Sequence, residues 1–185
     1  MFEERTVEQE SKNPLFAKDI LWKFFYEGWH NFNYSIEEIA HRLANINRYC
    51  GGRLYQINVA LHSVCVSLMV SESNRPQALM HELTECVIGD INGVFKKTMP
   101  EIGVKEKEMQ AIILPKYGVS GIICDEVNWA DKKIQEYELA SKNEQWLKLP
   151  IFDGTTMRIN LKVVQAEESE KIFLKEYNKL FANCK

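Results

Sequence analysis

The chain has 185 residues, a formal net charge of −3 and a hydrophobic fraction of 45%, which suits one globular domain with its own core. This weakly acidic balance gives no basic field for duplex nucleic acid, and no apolar run approaches the roughly 20 residues of a membrane span. The five cysteines form no CxxC pair, as is typical of reduced thiols. We therefore expect a cytoplasmic protein that binds neither duplex nucleic acid nor membrane.

Helical periodicity dominates the first half of the chain. Over residues 34–48 apolar positions recur every three or four residues, and Ser35 supplies an N-cap. A pair of glycines interrupts the pattern, which then resumes over residues 57–70. Pro76 is expected to open a third helix that carries the segment HELTECVI and gives way at Gly89.

The second half continues with a short FKKTM segment and an amphipathic helix over residues 104–117. A further helix is expected within residues 116–142, after a turn that contains glycine, and the last helix covers 164–182. Strand-like alternation occurs only in the short stretch 153–164. The pattern therefore predicts a mostly helical protein.

Side chains of the types that can bind metal ions lie on separate predicted helices. They are His62 in an apolar face, His81 followed by Glu82, and Asp131 late in the chain. Singly, each has a plainer interpretation, because a lone histidine is more often a core residue and Asp131 would ordinarily be a surface charge. Together they offer two imidazoles and two carboxylates, a set suited to a divalent metal such as zinc, manganese, iron or cobalt. Such a metal polarises a phosphoryl oxygen and generates hydroxide near neutral pH.

The order of these residues resembles the metal-dependent HD-domain phosphohydrolases, in particular the small phage and bacterial branch with 5′-deoxynucleotidases and phage deoxynucleoside triphosphate hydrolases. Two segments carry the resemblance most specifically, ALMHELTECVIGDI and the RYCGG loop that begins fourteen residues before His62. Weaker matches, such as WAD and AEESEKIFLKEYNKLF, extend it over most of the chain. It implies an all-α fold, the HD-domain helical bundle, over residues 1–185, with 1–33 as an N-terminal extension packed on it.

The resemblance implies that His62, His81 and Asp131 ligate a divalent metal (zinc, manganese, cobalt, iron or magnesium), with residue 82 as the fourth ligand. Residue 82 is Glu, where the family's name-giving dyad has Asp. The extra methylene moves the carboxylate by roughly 1.5 Å. A Glu can still reach the metal through another rotamer, so we favour retained binding with altered geometry over a lost metal.

The resemblance also assigns catalytic roles to Glu85 and Asp90. Glu85 would hold the attacking water or pass a proton. Asp90 would stabilise the site or accept a hydrogen bond from the substrate sugar. Its alternative role is that of a turn residue that ends a helix.

Substrate binding is expected at Arg48 and Lys96, which would hold phosphate oxygens, and at Tyr49. Arg48 would act through its planar donor fork; its alternative is a cation that interacts with the dipole at a helix C-terminus. Under the phosphate hypothesis, Arg48→Ala should impair hydrolysis and leave metal content and melting temperature nearly unchanged. Tyr49, Trp22 and Trp29 could stack a base, although core packing is the plainer expectation for each tryptophan.

We therefore expect a metal-dependent phosphohydrolase that acts on deoxynucleotides. It would be either a deoxynucleoside triphosphate triphosphohydrolase, with dATP as one candidate substrate, or a 5′-deoxynucleotidase on monophosphates. The alternative is a catalytically impaired nucleotide-binding protein, because the dyad is His-Glu. The resemblance further implies a homo-oligomer.

Overall fold

The computed structural model describes residues 29–182. The chain divides into two compact units, Met1–Asn33 and Tyr34–Lys185, and every element numbered below belongs to the second. Trp22 lies outside the described residues, and the packing expected of residues 1–33 stays a prediction. In order, the elements are α1 (Ile36–Ala44), α2 (Val59–Met69), α3 (Arg75–Met80), α4 (Glu85–Ile88), α5 (Gly93–Thr98), α6 (Pro100–Ile113), α7 (Asp125–Ala140), β1 (Trp146–Pro150), β2 (Thr156–Asn160) and α8 (Ala166–Phe181).

Helix α2 is the central element of the second unit. Ten of its eleven residues are buried, as expected of a helix surrounded by others. Helices α1, α3, α7 and α8 all pack against it. Its N-terminus is capped by the Asn58 side chain, which accepts a hydrogen bond from the Leu61 N–H at 2.9 Å. Any side chain on α2 is therefore held in a rigid setting.

The predicted start of α1 is confirmed. Ser35 accepts a hydrogen bond from the Glu38 N–H, and the Glu38 carboxylate accepts one from the Ser35 N–H, which completes a capping box. The helix ends at Ala44 rather than near residue 48, because Asn47 forms a β-bridge with Asn58. This bridge brings the chain back toward the start of α2.

The single helix expected from Pro76 through HELTECVI is wrong. Helix α3 ends at Met80, residues 81–84 form a turn, and α4 begins at Glu85. The ring of His81 bonds the carbonyl of Ala78 at 2.7 Å, an acceptor that a regular α-helix would pair with the Glu82 N–H. The following turn closes by shorter bonds, such as Glu85 N–H to the Glu82 carbonyl. The broken helix places the His-Glu pair in a turn.

Helix α6 also differs from its predicted bounds. It begins at Pro100 rather than at residue 104 and ends at Ile113, after which Leu114–Tyr117 form a 3₁₀ turn. Proline is favourable in the first turn of a helix because its missing N–H has no partner there. The helix therefore begins at Pro100 itself.

A hairpin adds a small sheet to the predominantly helical fold. Strand β2 lies inside the stretch that alternates in sequence, and β1 pairs with it antiparallel, with Leu147 opposite Ile159 and Leu149 opposite Met157. The two leucines are buried in the core cluster that contains α2. The expectation of an all-α protein thus needs this correction, and the assignment to the HD-domain bundle stays a prediction.

Within residues 29–182, no helix combines the length and the apolar composition required to traverse a bilayer.

Candidate metal centre

The four predicted metal ligands lie together. His62 projects from α2, His81 and Glu82 occupy the turn after α3, and Asp131 projects from α7. One ligand atom from each residue lies within 4.8 Å of the other three, and both histidines are buried. This buried group could hold a metal ion.

Both imidazole rings are oriented through Nδ1. For His62 the partner is Oε1 of Glu138 at 2.9 Å, and for His81 it is the carbonyl of Ala78 at 2.7 Å. An ionised carboxylate and a carbonyl only accept hydrogen bonds, so each Nδ1 carries the donated proton. When such a ring is neutral, this arrangement leaves Nε2 with its lone pair directed at the cluster, as in metal sites whose histidines are held by an outer carboxylate or carbonyl.

The two Nε2 atoms are buried and have no well-aligned hydrogen-bond partner, although Oδ1 of Asp131 lies 3.0 Å from Nε2 of His62. A buried polar atom without a partner costs free energy unless something else satisfies it. Two such nitrogen atoms, with two carboxylates close by, fit a divalent metal that takes nitrogen and oxygen ligands.

Asp131 and Glu82 supply the oxygen atoms of the cluster. Oδ1 of Asp131 lies 3.0 Å from Nε2 of His62, and the side chain of Gln135 donates to both Asp131 oxygens at 2.9 and 3.0 Å. Oε1 of Glu82 lies 3.5 Å from Nε2 of His81 and 4.0 Å from Nε2 of His62. The carboxylate of Glu82 therefore reaches the same two Nε2 atoms as the carboxylate of Asp131.

The charges of the cluster depend on its neighbours. Burial disfavours the ionised form of Asp131, but the two imidazoles outweigh it and hold the pKa of Asp131 well below its usual range. Burial and the charge of Arg48 disfavour protonation of His62, whereas Glu138 and Asp131 outweigh both and raise the pKa of His62 to about 9. A metal would thus have to displace a proton from His62.

Glu138 is a site residue that the sequence analysis missed. It is fully buried, and besides His62 it accepts hydrogen bonds from Nε of Arg48 at 3.2 Å and from the Tyr49 hydroxyl at 2.7 Å. Burial opposes its ionisation, yet His62 and Arg48 lower the pKa of Glu138 to about 2. The signal was present in the sequence, because Glu138 stands seven residues after Asp131, two turns along one helix face.

Arg48 lies deeper than its predicted role required. The residue is 4% exposed, and its Nη1 lies 3.7 Å from Oε1 of Glu82 in addition to the bond with Glu138. Arg48 thus contacts one predicted ligand and the residue that orients another, so a substitution at Arg48 is now expected to affect the cluster as well. Its role as a phosphate clamp stays a prediction.

The loop after Arg48 has an unusual backbone. Tyr49 and Cys50 adopt φ angles of 58° and 54°, a left-handed conformation that non-glycine residues seldom adopt and that persists where the surroundings impose it. One such restraint is Asp90, whose Oδ2 accepts a hydrogen bond from the Tyr49 N–H at 3.0 Å. Asp90 thus holds the loop, while its predicted contact with a sugar stays untested.

The ring of Tyr49 already has partners. The guanidinium groups of Arg48 and Arg53 lie 5.5 and 5.4 Å from its centroid, within the range of a cation–π interaction. Stacking of this ring on a base stays a prediction, as it does for Trp29.

Glu85 is a second buried carboxyl group beside the cluster. It is 2% exposed, and its Oε2 has no hydrogen-bond partner. Burial, followed by the charges of Glu82 and Asp90, raises the pKa of Glu85 well above its ordinary value. Glu85 therefore retains a proton at a pH where most glutamates have lost theirs.

The cluster lies between two cavities. One has a volume of about 290 Å³ and is lined by Arg48, Tyr49, Glu85 and Asp90, among others. The other measures about 450 Å³ and extends toward α6 and the loop before α7. Glu82, Lys96 and Asp131 line both cavities.

Lys96 is not a free cation in this arrangement. Its Nζ pairs with Oε1 of Glu106 at 2.7 Å. Burial disfavours the charged amine, but the bond to Glu106 outweighs it and raises the pKa of Lys96. A ligand phosphate would have to compete with this carboxylate or share the lysine with it.

No protein-family model matches the chain. The chain is similar to an uncharacterized protein of Escherichia coli (strain K12), YfdR, with 32% identity over 108 residues. The aligned part covers 58% of this chain and 61% of the relative.

Proposed function

We propose that this protein is a metal-dependent phosphohydrolase of the HD-domain fold that acts on deoxynucleotides, as a triphosphohydrolase or as a 5′-deoxynucleotidase. The observation that carries the proposal is the convergence of His62, His81, Glu82 and Asp131, with both Nε2 atoms buried and facing the two carboxylates. The sequence resemblance supports the same four residues as ligands. The implied homo-oligomer belongs to the same proposal, and light scattering on the purified protein tests it.

An anionic substrate in the cavity of about 290 Å³ would be bound by the two cations there, which stand among four acidic residues. Arg48 and Lys96 line it, and a guanidinium is suited to phosphate oxygens because its donors form a planar fork. Arg48 also touches Glu82, so a phosphate bound by Arg48 would lie close to the metal ligands. This proximity is what hydrolysis at phosphorus requires.

A divalent metal at this centre would polarise a phosphoryl oxygen and lower the pKa of a bound water. The remaining roles belong to the protein. Arg48 would hold the phosphate, and Asp90 would hold the Arg48–Tyr49 loop through the Tyr49 N–H. Glu85 faces the same cavity with a carboxyl group that retains its proton, so it could deliver that proton to the leaving oxygen.

Glu82 decides between an active and an impaired enzyme. Its carboxylate lies within 4.0 Å of both Nε2 atoms, which supports a centre adapted to glutamate. We expect Glu82→Asp to change turnover little or to reduce it, because the shorter side chain would withdraw from the cluster. A large gain in turnover would instead identify the protein as an impaired relative.

The test of function is metal removal followed by reconstitution. The protein would be stripped with a chelator, reloaded with zinc, manganese, cobalt, iron or magnesium, and assayed for release of phosphate or triphosphate from all four deoxynucleoside mono- and triphosphates. We expect hydrolysis only after reloading. Full activity in the stripped protein, or no hydrolysis of any deoxynucleotide by the loaded protein, would refute the proposal.

Two histidine variants provide a matched pair for this assay. His81→Ala should bind metal much more weakly and should lose hydrolysis. His41→Ala should retain both, because His41 is exposed and pairs with Glu170 at 2.9 Å outside the cluster. Equal behaviour of the two variants would show that the cluster is not the functional centre.

A further inference from the structure

Glu138 connects the metal ligands to the residues on the substrate side. Its Oε1 accepts from Nδ1 of His62, and its Oε2 accepts from both Arg48 and Tyr49. The side chain is fully buried, so water cannot replace any of these three donors. One carboxylate thus satisfies three groups that reach it from two other segments of the chain.

We propose that Glu138 is a positioning residue that sets the metal affinity of the centre by fixing the ring of His62, and that Arg48 determines how any substitute at position 138 must orient. The inference rests on the metal-binding half of the proposed function. It does not depend on which substrate is hydrolysed.

The position of the donated protons around Glu138 determines what a substitution there would do. Because Glu138 only accepts, it requires the proton on Nδ1 of His62 and leaves the Nε2 lone pair for a metal. A glutamine has the same shape but pairs one accepting oxygen with one donating NH₂ group. In Glu138→Gln, the buried guanidinium of Arg48 can only donate hydrogen bonds. The amide oxygen of the glutamine would therefore turn toward Arg48. The NH₂ group would then face Nδ1 of His62.

That orientation disables His62 as a ligand. A ring that accepts at Nδ1 carries its proton on Nε2, the atom that faces the metal ligands. With the amide reversed, the NH₂ group would instead face Nε of Arg48, which leaves two buried donors against each other. Either arrangement weakens the centre, and the first does so through His62 alone.

His81 is insulated from this effect. Its Nδ1 bonds the backbone carbonyl of Ala78 three residues earlier, which no side-chain substitution on α7 removes. A change at Glu138 should therefore weaken metal binding without abolishing it, since His81 and the two carboxylates keep their positions.

The experiment compares zinc dissociation constants, measured on the metal-free full-length protein by competition with a chromogenic chelator. We expect Glu138→Gln to bind zinc roughly 10- to 100-fold more weakly than the unaltered protein. The matched control is Glu126→Gln on the same helix. Glu126 accepts hydrogen bonds from Ser71 N–H at 2.8 Å, from the Ser71 hydroxyl at 2.7 Å and from Asn74, and none of these groups belongs to the cluster. The Glu126→Gln variant should bind zinc as tightly as the unaltered protein.

A second pair of variants separates orientation from general damage. In Arg48→Met the cation is gone, and the Tyr49 hydroxyl can accept as well as donate, so the amide oxygen of Glu138→Gln is free to face His62. We therefore expect Glu138→Gln to cost little or no zinc affinity in the Arg48→Met background. The double variant contains no unpaired buried cation at this position, so the comparison holds even if Glu138→Gln alone does not fold.

Three results would overturn the inference. They are normal zinc affinity in Glu138→Gln, an equal loss in Glu126→Gln, and an undiminished loss from Glu138→Gln in the Arg48→Met background. Its failure is distinguishable from that of the proposed function. A protein that binds zinc through His62 but hydrolyses no nucleotide refutes only the function, whereas an active enzyme with normal zinc affinity in Glu138→Gln refutes only the role of Glu138.

Discussion

Glu85 and Glu138 lie beside the same cluster, and both are almost completely buried, at 2% and 0% exposure. Their protonation is nevertheless opposite. Glu138 has three donors around it and a pKa lowered to about 2. Glu85 has an unbonded oxygen, two acidic neighbours and a pKa raised above its ordinary value.

The difference shows that burial makes ionisation of both carboxyl groups costly, whereas the neighbouring residues determine whether each group is ionised. Desolvation disfavours ionisation of both groups, yet only Glu138 has an imidazole and a guanidinium in direct contact. One carboxylate is therefore fixed as a charged acceptor that holds other residues in place. The other is held toward its protonated form, which is the form that the proposed reaction requires. Four predictions test this contrast.

The largest expected effect comes from Arg48→Ala. The variant leaves the charges of Glu138 and Glu82 without the guanidinium that now faces them, and breaking a buried pair costs about 3–5 kcal/mol. Urea denaturation should show this loss in the free energy of unfolding. Arg158→Ala is a suitable control, because Arg158 is exposed and lies over the ring of Trp146 in the hairpin rather than at the cluster. An unchanged stability for Arg48→Ala would support the original expectation from sequence, that Arg48 serves only the substrate.

Acid should reveal the charge of Glu138. Its folded pKa of about 2 lies below the unfolded value of about 4.3, so its contribution is fully present above the unfolded pKa and is lost as pH falls through the folded pKa. The stability difference between the metal-free unaltered protein and Glu138→Gln should therefore shrink by about 3 kcal/mol as the pH falls from about 5.5 to about 2. A difference that stays constant over this interval would contradict the assignment.

Glu85→Gln should separate chemistry from stability. The amide mimics the protonated acid, so the fold should tolerate it, while loss of a transferable proton should lower kcat by about 100-fold. The raised pKa gives this group a stabilising contribution that is present at low pH and lost as pH rises through the folded pKa. The variant should consequently become relatively more stable than the unaltered protein under alkaline conditions. Normal turnover in the reconstitution assay would remove Glu85 from the mechanism.

The smallest effect is expected for Tyr49→Phe. It removes one of the three donors to Glu138 and leaves the bonds from His62 and Arg48, so the loss in unfolding free energy should be about 1 kcal/mol. Zinc affinity should remain within about twofold, since the orientation of His62 is retained. A loss of affinity as large as that of Glu138→Gln would mean that Tyr49, rather than Glu138, controls the ring.

The sequence predicted the features that local spacing encodes. The capping box at Ser35 and the apolar periodicity of α2 follow from neighbouring residues. The sequence also predicts the candidate ligands His62, His81, Glu82 and Asp131, and the structure places them together. Whether they bind a metal and hydrolyse a nucleotide stays a prediction.

What the sequence did not predict arises from distant or side-chain contacts. Arg48 and Tyr49 meet Glu138 across 90 and 89 residues of chain, and no periodicity reports such a pairing. The helix breaks at His81, where the imidazole ring bonds the carbonyl of Ala78. Helix propensity gives no sign of this side-chain hydrogen bond. The hairpin was missed because β1 becomes recognisable as a strand only beside its partner β2.

His62 and Glu138 stand 76 positions apart in the chain, and this separation affects the order of assembly. During synthesis the first half of the centre leaves the ribosome well before α7 exists, and closing so long a loop costs entropy that early local helices do not. During synthesis, the ring of His62 therefore lacks Glu138, the residue that orients it, until α7 has been made. The metal would enter a nearly finished fold, and a nascent chain truncated before α7 would carry two histidines and a glutamate that have no means of forming the centre.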